Sequence, residues 1–269
     1  MGDGYWGRID ALHQFCEAKY VVSPYVAEFW NATSNLPFFI LPGVYCAWRS
    51  NAAYDLRIKV MWWLMVLVGS GSLMFHGSMR FKWEMMDEAP MFLLVLGGVF
   101  SKDDSCWLLT GWRKQVVHAV CVGTAVCGMG LYLYSGAYDV FVSCFALLVL
   151  MDVGVAFGSA WRPDEHGSHA AFGCMVAYAV CLSTAFIMWE TERRLCAPGA
   201  GGYLAVLHVG WHALSGLACY YGILADAQVR CTATGIGRAV DLPGSEWPLL
   251  WPVRRWLRGG AVTANGKSD

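Results

Sequence analysis

Charge is what this sequence has least of. Asp, Glu, Lys and Arg make up 14% of its 269 residues, against about 25% in an average soluble chain. That shortage excludes an ordinary water-soluble domain, which needs more polar surface, and a disordered chain, which needs charge to stay open. There is no basic excess either, since nineteen Lys and Arg face twenty Asp and Glu for a net charge of -1. Without a basic face to neutralise phosphates, nucleic acid is excluded as a partner. The eleven cysteines contain no Cys-x-x-Cys pair, which argues against a zinc ribbon or a thioredoxin-like motif. Most stand singly inside apolar runs, where Cys acts as a small hydrophobic residue. The first twenty residues show no basic-then-apolar leader, and Trp6 stands where a myristoylation motif has Ser or Thr. No cleaved signal or N-terminal lipid is therefore expected. No internal repeat is present.

What the chain does have is apolar length, with 57% hydrophobic residues. Seven stretches near 28–48, 58–79, 86–101, 114–134, 137–160, 168–189 and 203–226 approach or reach the roughly 20 residues a membrane helix needs. The first and third are interrupted near their starts by Asn31, Asn35, Asp87 and Glu88. The connections are short, so the expected fold is all-α: one seven-span bundle over residues 1–226, a short N-terminal helix included, then a loosely ordered tail over 227–269. Assigned to the two faces, thirteen of the nineteen Lys and Arg fall on the side of the C-terminal tail. The positive-inside rule then places the C-terminus in the cytosol and the N-terminus in the lumen or outside.

Ionisable residues inside a membrane are costly and mark candidate sites. His208 and His212 lie four apart near the start of the last span, on one helix face, a spacing that lets two imidazoles hold one metal. His76 lies near the exit of the second span and Asp87 near the entry of the third, so span parity brings all four to the lumenal half. Three imidazoles with an open fourth position make a catalytic zinc pattern. Zinc lowers the pKa of a bound water to about 7, with Asp87 as general base. Ser72, one turn before His76, faces the same way and would donate to a developing oxyanion. The alternative for Ser72 is close helix packing within Gly69-Ser70-Gly71-Ser72.

Four motifs in order resemble the alkaline ceramidase family: Tyr20-Val21-Val22 through Glu28-Phe29-Trp30-Asn31 with Ser34-Asn35; Phe75-His76; Glu84 through Met91; and Trp211-His212 with Ser215-Gly216. The resemblance covers residues 6 to 226. It implies a seven-span membrane enzyme, in the superfamily that also contains adiponectin-type receptors, that cleaves the amide of ceramide to a sphingoid base and a fatty acid. By motif, it makes His76, His208 and His212 zinc ligands, Asp87 the partner of the water and Ser72 the group at the substrate carbonyl. Ceramide and membrane lipids are the implied partners, and endoplasmic reticulum or Golgi the implied location; no protein partner is indicated. The alternatives are an adiponectin-type receptor or another lipid hydrolase, with a differently used zinc site.

The resemblance also implies a calcium-type site with Glu17 and Glu28 as ligands. The matching stretch here, Gln14 to Lys19, departs from the family's D-W-C-E-x-N pattern. An amide replaces a carboxylate and an ammonium replaces an oxygen ligand, whereas calcium takes six to eight oxygens. Either Lys19 stands in for calcium, or it is solvated. The family also implies a lumenal disulfide between Cys16 and Cys196, while Cys106 and Cys231 would remain cytosolic thiols. Asp152, inside the fifth span and away from the proposed metal, pairs with a polar neighbour or shapes the cavity. His13, His118, His166 and His169 read as surface residues at span ends or loops. Asn31 opens a glycosylation sequon too close to the bilayer for easy modification.

Overall fold

The computed structural model describes residues 4–49, 56–103, 106, 109–160 and 168–234, apart from the side chains at 160, 168–170 and 231–234. The tail from residue 235, together with His166, lies outside the described residues, as do the side chains of His169 and Cys231. Among the described residues the structure is helical, with no strands beyond isolated bridges. The helices are α1 (Phe29–Asn35), α2 (Leu41–Arg49), α3 (Leu56–Ser78), α4 (Phe81–Ser101), α5 (Gly111–Ser135), α6 (Tyr138–Ala160), α7 (Ser168–Leu195) and α8 (Val206–Thr234). The last continues past residue 226, where the seventh span was expected to end. Four helices are long and apolar enough to cross a membrane: Leu56–Ser78, Gly111–Ser135, Tyr138–Ser159 and Ala171–Leu195. The other expected spans are also helical. They carry what lowers their hydropathy: Asn31 and Asn35 in α1, Asp87 and Glu88 in α4, His208, His212 and Asp226 in α8.

Proline and glycine set how these helices meet. Between α1 and α2, residues Leu36–Ile40 form a π-helical turn with Pro37 as its second residue. Proline has no N–H to donate to the preceding turn, so the helix widens there. The widened turn presses on α3 and α8 where they lack side chains. A Cβ at Gly69 would lie 2.4 Å from that of Phe39, and one at Gly216 would lie 2.5 Å from the Phe38 carbonyl oxygen. Inside α4, Pro90 leaves the Met86 carbonyl without its helical donor. That carbonyl lies against Gly71 of α3, where a Cβ would stand 1.8 Å from it. Gly71 and Met86 each precede a candidate site residue, Ser72 and Asp87. Helix pairs α3–α4 and α7–α8 pack most extensively.

Among the described residues the expected short N-terminal helix does not form, because the arm over residues 4–28 spends its backbone amides on the bundle. Leu12 and His13 donate to the Glu84 carboxylate at 2.6 and 2.7 Å. Asp10 and Ala11 donate to Met79 O, each at 3.3 Å, and Glu28 to His76 O at 2.9 Å. Further on, the Phe15 and Cys16 carbonyls accept the amides of Gly199 and Gly201, and Cys16 is disulfide-bonded to Cys196. Each of these ties crosses the same end of the bundle.

Candidate metal centre

Helix phase brings three imidazoles to that end. His208 and His212, one turn apart on α8, have ring centroids 4.7 Å apart, and His76 from α3 stands 4.9 and 5.1 Å from them. One ring nitrogen from each lies within 4.8 Å of the other two. All three side chains are buried.

The Nδ1 atoms are already engaged. His76 Nδ1 is 2.6 Å from Glu28 Oε2, and His208 Nδ1 is 2.9 Å from Glu192 Oε2. His212 Nδ1 is 2.8 Å from Ser34 Oγ, whose own proton goes to the Asn31 carbonyl. Ser34 therefore accepts from His212. Each ring thus donates through Nδ1 and turns the Nε2 lone pair inward. His76 Nε2 is buried with no partner among the described residues, and His212 Nε2 has Ser72 Oγ at 3.5 Å. A buried unsatisfied polar group costs about 1–3 kcal/mol. Three lone pairs aimed at one point are the donor set of a zinc site with an open position, and carboxylates behind the imidazoles are its usual support. The residues fit the metal.

Ser72 and Asp87 stand beside this trio. Asn35 Nδ2 donates to Ser72 Oγ at 3.1 Å, leaving the hydroxyl proton for the Asp87 carboxyl, with which Ser72 shares a hydrogen bond. Asn35, Ser72, Asp87, His208 and His212 line one end of a cavity walled by aromatic and aliphatic side chains such as Phe141, Phe145 and Trp211. Its other end is lined by Lys102, Asp152 and Asp226. There Asp152 both pairs and shapes the cavity. Lys102 Nζ donates to Asp152 Oδ1 and Asp226 Oδ2 at 3.1 Å and to Gly98 O at 2.7 Å. Tyr178 OH donates to Asp152 Oδ2 at 2.8 Å, and Ser101 Oγ to Asp226 Oδ2 at 2.6 Å.

Glu17 and Glu28 both accept from Asn31, the first from its backbone amide and the second from its side-chain amide. Both Glu17 oxygens accept amides at the start of α1, from Trp30 and Asn31 at 2.8 Å; burial pushes this carboxyl up and those amides pull it back. The Lys19 side chain is buried, not solvated. Its Nζ donates to Phe15 O at 2.7 Å and Glu17 O at 3.0 Å and pairs with Glu28 Oε1. Glu28 thus connects the lysine to His76. The surface reading of His13 is corrected: its ring stacks on Tyr138 at 3.8 Å, and burial, with His208 as the next cause, pushes its pKa down to about 4. His118 is half-buried and hydrogen-bonded to Asp103 at 2.7 Å. Asn31 is fully buried and donates to Glu28, and Cys106 is a buried free thiol.

Sequence reasoning assigned no role to Glu192, Ser34 or Asn35. Glu192 stands in Glu190-Thr191-Glu192-Arg193-Arg194, which reads as an interfacial charge run. Only its placement on the side of His208 hinted at more.

The chain matches the family model for Ceramidase over residues 7–252. It is 36% identical to alkaline ceramidase 3 of Mus musculus over 280 aligned residues, covering 92% of this chain and 94% of that protein. It is 27% identical to alkaline ceramidase 1 of Homo sapiens, covering 88% and 91%. With the alkaline ceramidase YPC1 of Saccharomyces cerevisiae the identity is 25%, covering 84% and 79%.

Proposed function

The chain is an enzyme of the alkaline ceramidase family, and from that premise we propose that it hydrolyses the amide bond of ceramide inside a membrane, with zinc as its metal. The observation that carries this reading is the convergence of three buried imidazoles with the Ser72–Asp87 pair at one end of an apolar-walled cavity. Those walls suit lipid chains, and the polar end suits the amide between them.

Zinc held by His76, His208 and His212 would supply Lewis acidity and an activated water beside the substrate carbonyl. The protein's residues do the rest. The Asp87 carboxylate takes the proton of the attacking water and returns it to the amide nitrogen as the carbon–nitrogen bond breaks. The products are the sphingoid base and the fatty acid. Ser72, which Asn35 orients, moves its hydroxyl proton from Asp87 to the developing oxyanion. Glu28, Glu192 and Ser34 hold the three imidazoles in the tautomer and orientation the metal needs.

The membrane reading takes the run from α1 to α2 as one span and α3 to α8 as six more. With the charge bias, this puts the metal end in the lumen of the endoplasmic reticulum or Golgi. The disulfide supports that side, since such bonds persist in oxidising compartments. In the arm, Lys19 takes the place of a calcium ion. Its ammonium supplies positive charge among two carbonyl oxygens and Glu28 Oε1, so the arm docks without the metal.

The test is release of sphingoid base from ceramide by the purified protein, with and without calcium, beside His212→Ala. Wild-type protein should release base whether calcium is added or chelated. The variant should release none and carry less zinc. No release from several ceramides by zinc-loaded protein would overturn the substrate. Release that needs calcium would overturn the role of Lys19.

A further inference from the structure

One polar group on the cavity wall has unused capacity, and the mechanism above leaves it idle. Glu88 follows Asp87 on α4, rather more than a quarter turn round the helix, and lines the same cavity. Its side chain is buried. Oε1 receives a long hydrogen bond from Tyr132 OH, 3.3 Å, which the phenol shares with Glu84 Oε1 at 3.5 Å. Glu84 already takes the amides of Leu12 and His13. Glu88 Oε2 has no partner among the described residues.

At the far end of the cavity, by contrast, the carboxylates of Asp152 and Asp226 have every oxygen paired. A buried carboxyl with one oxygen unmatched calls for a hydrogen-bonding group that arrives with a ligand. On the proposed function, which this inference rests on, the ligand is ceramide. Its fatty chains bring no such group. Its sphingoid base brings two hydroxyls, on the carbons either side of the one that bears the amide nitrogen. With Asp87 at the amide, the next residue along α4 stands beside those carbons.

We infer that Glu88 hydrogen-bonds a hydroxyl of the sphingoid base, and so selects ceramide over amides that lack that hydroxyl. A buried site built to bond a hydroxyl rejects the analogue without it because its own group is then left unpaired. One such bond to a carboxylate corresponds to about 10- to 100-fold in kcat/KM.

The experiment measures kcat/KM of the full chain in mixed micelles for ceramide and for its 1-deoxy and 3-deoxy analogues. Wild-type protein, Glu88→Gln and Glu88→Leu are compared, with zinc content and thermal unfolding recorded for each. Wild-type protein should prefer ceramide over one analogue by about 10- to 100-fold. Glu88→Leu should bring that ratio close to one, and Glu88→Gln, which keeps hydrogen-bonding atoms in place, should retain most of it. A ratio unchanged in Glu88→Leu, or a fall that is equal for all three lipids, overturns the assignment. If the leucine variant does not fold, wild-type protein decides alone: ceramide hydrolysed with no preference over either analogue overturns it. Ceramide left intact by wild-type protein overturns the proposed function, and this assignment with it.

Discussion

Two buried polar clusters stand at opposite ends of one cavity, and they differ in how completely they are satisfied. At the Lys102 end, one ammonium meets two carboxylates, and each carboxylate oxygen has a donor from Lys102, Tyr178 or Ser101. At the histidine end, the Nδ1 atoms are satisfied and the inward side is not: among the described residues His76 Nε2 has no partner and His212 Nε2 has a single long contact. The first cluster joins four segments, the end of α4 with α6, α7 and α8. The second is held by its outer partners around a point that wants a cation. Saturation marks a cluster that holds helices together, and directed unsaturation marks one that binds.

Substitutions at the two ends should therefore fail in different ways. The largest effect is expected from His76→Ala, which removes one of three ligands. Bound zinc should fall steeply by metal analysis and base release should cease, while the thermal unfolding of metal-free protein stays near wild type. Asp87→Asn removes the proton acceptor but no ligand, so activity should fall by about 10²- to 10⁴-fold with zinc retained. Lys102→Met reverses that pattern. It strands two buried carboxylates, a loss of about 3–5 kcal/mol in stability, read as a lower unfolding temperature with zinc still bound. Replacing the whole cluster, as Lys102→Met with Asp152→Asn and Asp226→Asn, should restore most of that loss; continued instability would break the comparison. The smallest effect is expected for Glu192→Gln, which weakens the support of His208 and should cost about 10- to 100-fold in zinc affinity. An equal change in zinc affinity from Lys102→Met would show that the ends are not independent.

The histidines were legible because helical spacing and span parity act on residues one at a time. His208 and His212 declare themselves by being four apart, and His76 by its depth. Their supporting groups were not legible as such. Glu192 reaches His208 from another helix, Ser34 reaches His212 from the far side of a widened turn, and no local pattern encodes either contact. The exchange at Lys19 was visible as a change of charge, but two of its partners are backbone carbonyls, which leave no mark in a sequence. His13 was misread because a loop position suggests solvent, whereas the arm folds back over the bundle and stacks the ring on Tyr138. The all-helical class followed from composition. Of the helices that carry the site, α3 is long and apolar enough to cross a membrane, whereas α1, α4 and α8 were the hardest to delimit, since their polar residues interrupt the apolar runs that identify a span.

Gly71 of α3 touches the Met86 carbonyl of α4, and the next residue on each side of that contact is Ser72 or Asp87. The contact acts as a datum. The backbone separation there sets how far the hydroxyl stands from the carboxyl before either side chain rotates. A methyl carbon at position 71 would stand 1.8 Å from that oxygen, well inside contact distance, and would wedge the helices apart. With no lever arm between the wedge and the pair, the whole of that gap would open between Ser72 and Asp87. The tolerance of the site is thus set by one hydrogen atom and a carbonyl that a proline released.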